Sequence, residues 1–200
     1  MKHQNFILII SGPSGSGKTT ICKKLLELDK NLFYSISITT RRRRENEVNG
    51  VDYIFISKEE FLEMIRKDEL LEWAEIYGKF YGTPKKPIFE NLNNGKDIIM
   101  DIDVQGKRNI ERNFRGRVIS VFLIPPSKEV LIQRLKSRGD LSEEELFKRI
   151  SLIDIEMNFR WEYDYWVLND DLENAILNVK KIIDVERLRG KFILYTLSNK

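Results

Sequence analysis

The eight residues Gly12-Pro13-Ser14-Gly15-Ser16-Gly17-Lys18-Thr19 constrain this chain more than any other segment. They fit the pattern G-x-x-x-x-G-K-[ST], follow an apolar run at 6–10, and precede a helical pattern at 17–28. Glycines let successive backbone N–H groups turn toward one point, and the helix N-terminus adds partial positive charge. The loop is therefore a phosphate cradle, and the strand–loop–helix context that it needs implies a parallel βαβ unit. Lys18 is expected to reach the β- and γ-phosphate oxygens of a bound ATP, and Thr19 to offer a hydroxyl to Mg²⁺. Gly12, Pro13, Ser14, Gly15, Ser16, Gly17, Lys18, Thr19 and Thr20 form the expected ATP-binding set.

The pattern continues with a strand at 97–102, a helix at 104–113 and a strand at 118–123. This predicts an α/β fold: a P-loop core with a mainly parallel sheet flanked by helices. Between about 35 and 94 the chain turns to short β-branched and aromatic segments, with turns at Asn49-Gly50 and Gly78 and a helix at 58–67. We read this as an inserted mixed α/β lobe. Residues 126–149 read as a helical lid, two helices joined at Arg138-Gly139-Asp140, leaving 1–34, 95–125 and 150–200 as core. Ser57 with Glu60, Ser142 with Glu145, and Asp170 with Glu173 have the spacing of capping boxes. The short apolar run at 192–194 has no assigned place.

With 200 residues, 42% hydrophobic and 32% charged, the chain is expected to form one globular unit. The run at 6–10 is too short for a signal peptide, and no stretch approaches the roughly 20 apolar residues of a spanning helix. A cytoplasmic protein with no membrane partner is expected. One cysteine, Cys22, and one histidine, His3, leave Ser/His/Asp and Cys/His catalysis and imidazole-based zinc sites without their parts. Cys22 reads as a small residue on the inner face of the first helix. A net charge of +3 suits small anionic ligands better than nucleic acid.

Asp101 ends an apolar strand, where an acidic residue faces Mg²⁺ or its water shell. Asp103 points the same way or caps the helix at 104. Arg41 and Arg44 supply two planar forks able to grip a phosphate monoester, with the hydroxyls of Tyr53 and Tyr81 beside them; a solvated basic run is the alternative for 41–44.

Ser37-Ile38-Thr39-Thr40-Arg41-x-x-Arg44, Glu47-Val48-Asn49-Gly50-Val51-Asp52-Tyr53, Glu72-Trp73-Ala74, Tyr81-Gly82-Thr83 and Asp101-Ile102-Asp103-Val104-Gln105-Gly106 follow in the order of the guanylate kinases. The likeness continues through Arg134 to Gly139, Lys148-Arg149 and Asn169-Asp170-Asp171, so the chain resembles that family over nearly its whole length. The resemblance implies ATP-dependent phosphorylation of GMP, and of dGMP, with Mg²⁺. It implies that Arg41 and Arg44 hold the GMP phosphate, that Glu72 accepts from guanine N1–H and N2, that Ser37 and Thr83 face O6, and that Asp103 reinforces the base contact. Lys18, Arg134, Arg138 and Arg149 are expected around the transferred phosphoryl group, and closure of lobe and lid is expected to exclude water. The chain departs from the family pattern at Arg43, where proline is common, and at Asn46, where glycine is common; Asn46 is expected to tolerate a left-handed backbone. A kinase for another nucleoside monophosphate, a peptide-binding scaffold and a nucleic-acid-binding ATPase remain as alternatives. The expected state is monomer or homodimer.

Overall fold

The computed structural model describes residues 2–76, 78–137, 143–189 and 193–194. Five parallel strands form the central sheet: β2 (Ile7–Ser11), β3 (Leu32–Tyr34), β8 (Asp97–Asp101), β9 (Val118–Ile124) and β10 (Tyr165–Leu168), in the order β10-β9-β2-β8-β3. Strand β2 is buried along its whole length, which is why it reads as an unbroken apolar run rather than an alternation. Its side chains alternate between two layers. Leu8 and Ile10 pack with Ile21 and Leu25 of α1 (Lys18–Leu28) and with Val179 and Ile183 of α7 (Leu172–Arg187). Ile7 and Ile9 pack on the other face with Ile88 and Leu92 of α3 (Lys85–Asn93) and Ile110 of α4 (Val104–Asn113). Each such burial contributes about 1.5–3 kcal/mol. In the parallel register Ile10 lies beside Asp101, so the loop after β2 and the acidic end of β8 emerge together at one edge.

A second, mixed sheet has the order β5-β4-β7-β6, built from β4 (Ile38–Thr39), β5 (Ile54–Phe55), β6 (Leu70–Ile76) and β7 (Lys79–Pro84). Its small core, Ile38, Phe61, Leu70 and Phe80, is separate from the main one. Helix α2 (Lys58–Arg66) supplies Phe61 and begins with the expected box: Ser57 Oγ accepts the Glu60 N–H and the Glu60 carboxylate accepts the Ser57 N–H. Asn46, which could tolerate a left-handed backbone, is not called on to adopt one. Asp68 is the non-glycine with positive φ among the described residues, and the 41–47 turn is closed by the Glu47 N–H donating to the Arg44 carbonyl at 3.2 Å and by Arg43 Nη1 donating to the Glu47 carbonyl at 2.9 Å.

Helices α5 (Lys128–Ser137) and α6 (Glu143–Asn158) follow β9, and α6 continues without a break past Arg149. The junction Arg138-Gly139-Asp140 and the cap Ser142 lie outside the described residues. The cap of α7 needs correction. The helix begins one residue later than the Asp170 box requires, so Asp171, not Asp170, accepts the Asn174 N–H at 2.8 Å, while Asp170 accepts the Asp171 N–H. The unassigned C-terminal run finds a place: β11 (Ile193–Leu194) pairs antiparallel with β1 (Lys2–His3). A short 3₁₀ turn, Phe159–Glu162, joins α6 to β10.

Helix α7 is fastened to the sheet by charge as well as packing. Arg187 donates through Nε to Asp97 at 2.9 Å and through Nη1 to Asp29 at 2.6 Å. Asp97, fully buried, also accepts from the Phe6 N–H and Asn5 Nδ2, both at 3.2 Å. Removing one partner of a buried pair strands the other. Asp97→Ala is therefore expected to destabilise the fold by about 2–4 kcal/mol, read as a lower urea midpoint with unchanged slope.

Candidate active site

The loop at 12–19 wraps the N-terminus of α1. Gly17 caps this helix at φ 97°, in the left-handed region, and a Cβ there would lie 2.6 Å from Asn169 Nδ2. Asn169 is buried and donates to the Ser16 carbonyl at 2.6 Å, which braces the loop from the end of β10. Lys18 Nζ donates to the carbonyls of Gly12 at 2.8 Å and Pro13 at 3.0 Å. Two buried polar atoms here, Ser16 Oγ and Arg149 Nε, have no hydrogen-bond partner among the described residues, the unmet demand that a phosphate oxygen suits.

Opposite the loop, Thr19 Oγ1 donates to Asp101 Oδ2 at 2.6 Å and Tyr34 OH donates to Asp101 Oδ1 at 2.5 Å. Burial, with the Asp101 charge beside it, pushes the Tyr34 hydroxyl far above the usual tyrosine range, so it remains a donor. Asp103 caps α4, accepting the Gly106 N–H at 2.7 Å. Cys22 is buried on α1 in the main core, and desolvation pushes its thiol up, as suits a packing residue.

A cavity of about 410 Å³ runs from this loop to the second sheet. Its walls bring together Gly12, Ser14, Gly15, Gly17, Lys18, Thr19, Thr20, Asp101, Asp103 and Arg149 with Ser37, Arg41, Arg44, Tyr53, Glu72 and Tyr81. Pro13, Ser16 and Thr83 are buried and do not line the cavity. Arg134 reaches the loop from α5, its Nη1 3.5 Å from the Gly15 carbonyl. Arg138 lies outside the described residues.

At the far end, Glu72 is buried on β6. Thr83, directly across on β7, donates its hydroxyl to Glu72 Oε1 at 2.5 Å, so the hydroxyl expected on O6 serves the carboxylate. The first turn of α4 approaches so closely that a Cβ on Gly106 would meet Glu72 Oε2 at 3.0 Å. Desolvation, with the Asp103 charge adding to it and the Thr83 hydroxyl opposing it, pushes the Glu72 carboxyl up to about 7.

Arg41 and Arg44 share a carboxylate to which the residue pattern assigned no role. Arg41 donates to both oxygens of Glu47, at 3.0 and 2.7 Å, and Glu47 also accepts the Arg44 N–H at 2.9 Å. The Arg41 guanidinium lies over the Tyr53 ring, 5.4 Å from its centroid. These contacts hold the Glu47 carboxyl below the usual carboxylate range despite its burial. Asp52, in the same turn, pairs with Lys23 of α1 at 2.5 Å and joins the two halves of the cavity. Tyr34, Glu47, Asp52 and Glu156, which also lines the cavity, are the participants that residue pattern alone does not single out.

A family model described as guanylate kinase matches residues 4–186. A guanylate kinase from Carboxydothermus hydrogenoformans is 45% identical over 194 residues, 96% of this chain and 94% of that protein. One from Caldanaerobacter subterraneus subsp. tengcongensis is 46% identical over 189 residues, covering 94% and 91%. The crystal structure of guanylate kinase from Anaplasma phagocytophilum superposes with a TM-score of 0.81 at 34% identity, over 96% of this chain and 90% of that one. With the phosphate loop, the arginine pair and the buried carboxylate on one cavity, the chain belongs to the guanylate kinase family of enzymes.

Proposed function

We propose that this enzyme transfers the γ-phosphoryl group of ATP to GMP, giving ADP and GDP, and accepts dGMP as well. The observation that carries the reading is the single cavity with a phosphate loop at one end and a buried carboxylate at the other. Guanine presents two adjacent donors, N1–H and N2, and Glu72 is a paired acceptor for them. Arg41 and Arg44, pre-oriented by Glu47, line the same cavity and would hold the monophosphate, and Ser37, Tyr53, Tyr81 and Asp103 would complete that site. Residues 35–94 form the acceptor lobe and 126–149 the lid of one domain. The reaction would serve purine nucleotide metabolism in the cytoplasm, with the enzyme a monomer or homodimer and nucleic acid not a partner. Among the described residues no helix is long and apolar enough to cross a membrane.

Thr19 Oγ1 and Asp101 Oδ2 are hard oxygen donors 2.6 Å apart. Two such groups suit Mg²⁺, which keeps most of its waters and takes the rest of its ligands from phosphate oxygens. When bound, the ion would neutralise charge on the β- and γ-phosphates. The protein's own part is alignment. Lys18, Arg134 and Arg149 surround the donor end, and GMP's phosphate oxygen is the nucleophile, so no histidine base is needed.

The test is ADP release from ATP and Mg²⁺ with GMP, AMP, CMP, UMP and dTMP in parallel. Turnover is expected with GMP and not with the others. Comparable activity with AMP or dTMP would overturn the base assignment, and no activity with any acceptor would favour a binding scaffold.

A further inference from the structure

We propose that Glu156 competes with the nucleotide phosphate for the phosphate loop: its carboxylate accepts the Ser14 N–H, and ATP must displace it. The inference rests on the reading that the loop takes ATP. Helix α6 meets the loop through two residues seven positions apart, two turns along one face. Arg149 Nη1 donates to Ser14 Oγ at 3.0 Å, and the Ser14 N–H donates to Glu156 Oε2 at 3.4 Å. Both contacts fall on one residue of the phosphate cradle. Glu156 thus presents its carboxyl to the Ser14 amide with Lys18 and Arg149 nearby, while burial, with the Asp103 charge adding to it, pushes that carboxyl above the usual range, so it is a poorly held occupant of a site that suits a phosphate.

One N–H cannot serve two anions, and like charges about 4 Å apart at a protein surface repel by about 4 kcal/mol. A phosphate entering the cradle therefore expels the carboxylate, and the long 3.4 Å contact is a weak one to break. The consequence reaches α6. Its anionic anchor is lost as the phosphate arrives, while Arg149, on the same face, can leave Ser14 for the phosphate oxygens. Glu156 is a positioning residue in this scheme, coupling nucleotide arrival to rearrangement of the helix that carries Arg149.

The experiment uses full-length Glu156→Gln and Glu156→Asp proteins. Gln keeps the shape but weakens the competing acceptor; Asp keeps the charge but draws it back from the amide. Binding of a non-hydrolysable ATP analogue with Mg²⁺, measured by calorimetry, is expected to tighten about 3- to 10-fold in both, the size of one modest hydrogen bond. Ligand-free amide exchange across 143–158 is expected to be faster in both than in wild type. Weaker analogue binding in either variant would overturn the proposal by making Glu156 a support for ATP. Tightening in Gln but not Asp would overturn it by reducing the effect to charge at a distance. Wild-type protein that binds GMP but no ATP analogue would overturn the loop assignment itself, and this inference with it.

Discussion

Glu72→Gln is expected to lower kcat/KM for GMP by about 10²- to 10³-fold while making the ligand-free protein more stable at pH 8. Both effects follow from one buried carboxyl. An amide offers one acceptor and one donor where guanine offers two donors, so the variant leaves a donor facing a donor in a desolvated site; truncating a buried charge-assisted contact costs about 2–5 kcal/mol. The stability effect has the opposite sign. Burial raises the Glu72 carboxyl from the ordinary 4.5 to about 7, so the folded protein favours its neutral form. That contribution is complete below about 4.5 and is lost as pH rises through about 7. Above pH 7 the ligand-free fold carries a buried negative charge that glutamine removes, a gain of about 1–3 kcal/mol. Thermal melts at pH 5 and pH 8 check it: wild type and variant should differ little at pH 5 and diverge at pH 8. The same titration shapes the kinetics, because guanine needs the carboxylate. Wild-type kcat/KM for GMP should rise as pH passes through about 7, and this limb should vanish in the variant. GMP kinetics unchanged by the substitution would show that guanine is read elsewhere.

Which parts of this arrangement are legible in the residues depends on the range of the forces involved. The phosphate loop is legible because its requirements are local: Gly17 must be left-handed, and Lys18 and Thr19 lie in the first turn of the helix it caps. The central sheet is legible for a related reason, since strands buried on both faces become continuous apolar runs such as 7–10. The inserted sheet is visible as a change of pattern, but its register is not. Glu72 faces Thr83 only because β6 and β7 pair antiparallel with an irregularity between Leu70 and Glu72. Glu47 escapes assignment because a glutamate three residues after Arg44 reads equally well as a surface ion pair; only the folded turn brings both arginines to it. Glu156 gives a single local hint, seven residues from Arg149, and needs α6 docked on the loop to acquire meaning. The pairing of Lys2–His3 with Ile193–Leu194 spans almost the whole chain, beyond what local pattern can specify. The α7 cap is a one-residue matter, with Asp170 and Asp171 both chemically able to serve and helix packing choosing between them.

Lys18→Met is expected to reduce kcat by about 10²- to 10³-fold or more, with a smaller change in the affinity for ATP. The two effects should separate because of how Lys18 is held. Its ammonium group donates to the Gly12 and Pro13 carbonyls at 2.8 and 3.0 Å, at the mouth of the loop, so the donors are already positioned and partly desolvated. The loop amides and the α1 N-terminus remain in the variant and keep most ground-state grip on the β-phosphate. What is lost is a positive charge where negative charge shifts during transfer, and one pre-positioned donor of this kind is worth about 2.7–4 kcal/mol. Methionine preserves the aliphatic stem, and two partly exposed hydrogen bonds are worth about 1 kcal/mol each or less, so the fold should survive with a modest drop in melting temperature. Lys18→Arg sharpens the test. It keeps the charge, but a planar guanidinium cannot place one compact donor against both carbonyls and a phosphate oxygen, and a loss of at least about tenfold is expected. Steady-state kinetics with ATP varied at saturating GMP read both variants. A kcat for the methionine variant within tenfold of wild type would mean that the transferred phosphoryl group is stabilised by Arg134, Arg149 and Mg²⁺ without Lys18, and would move the centre of catalysis from the loop to the lid.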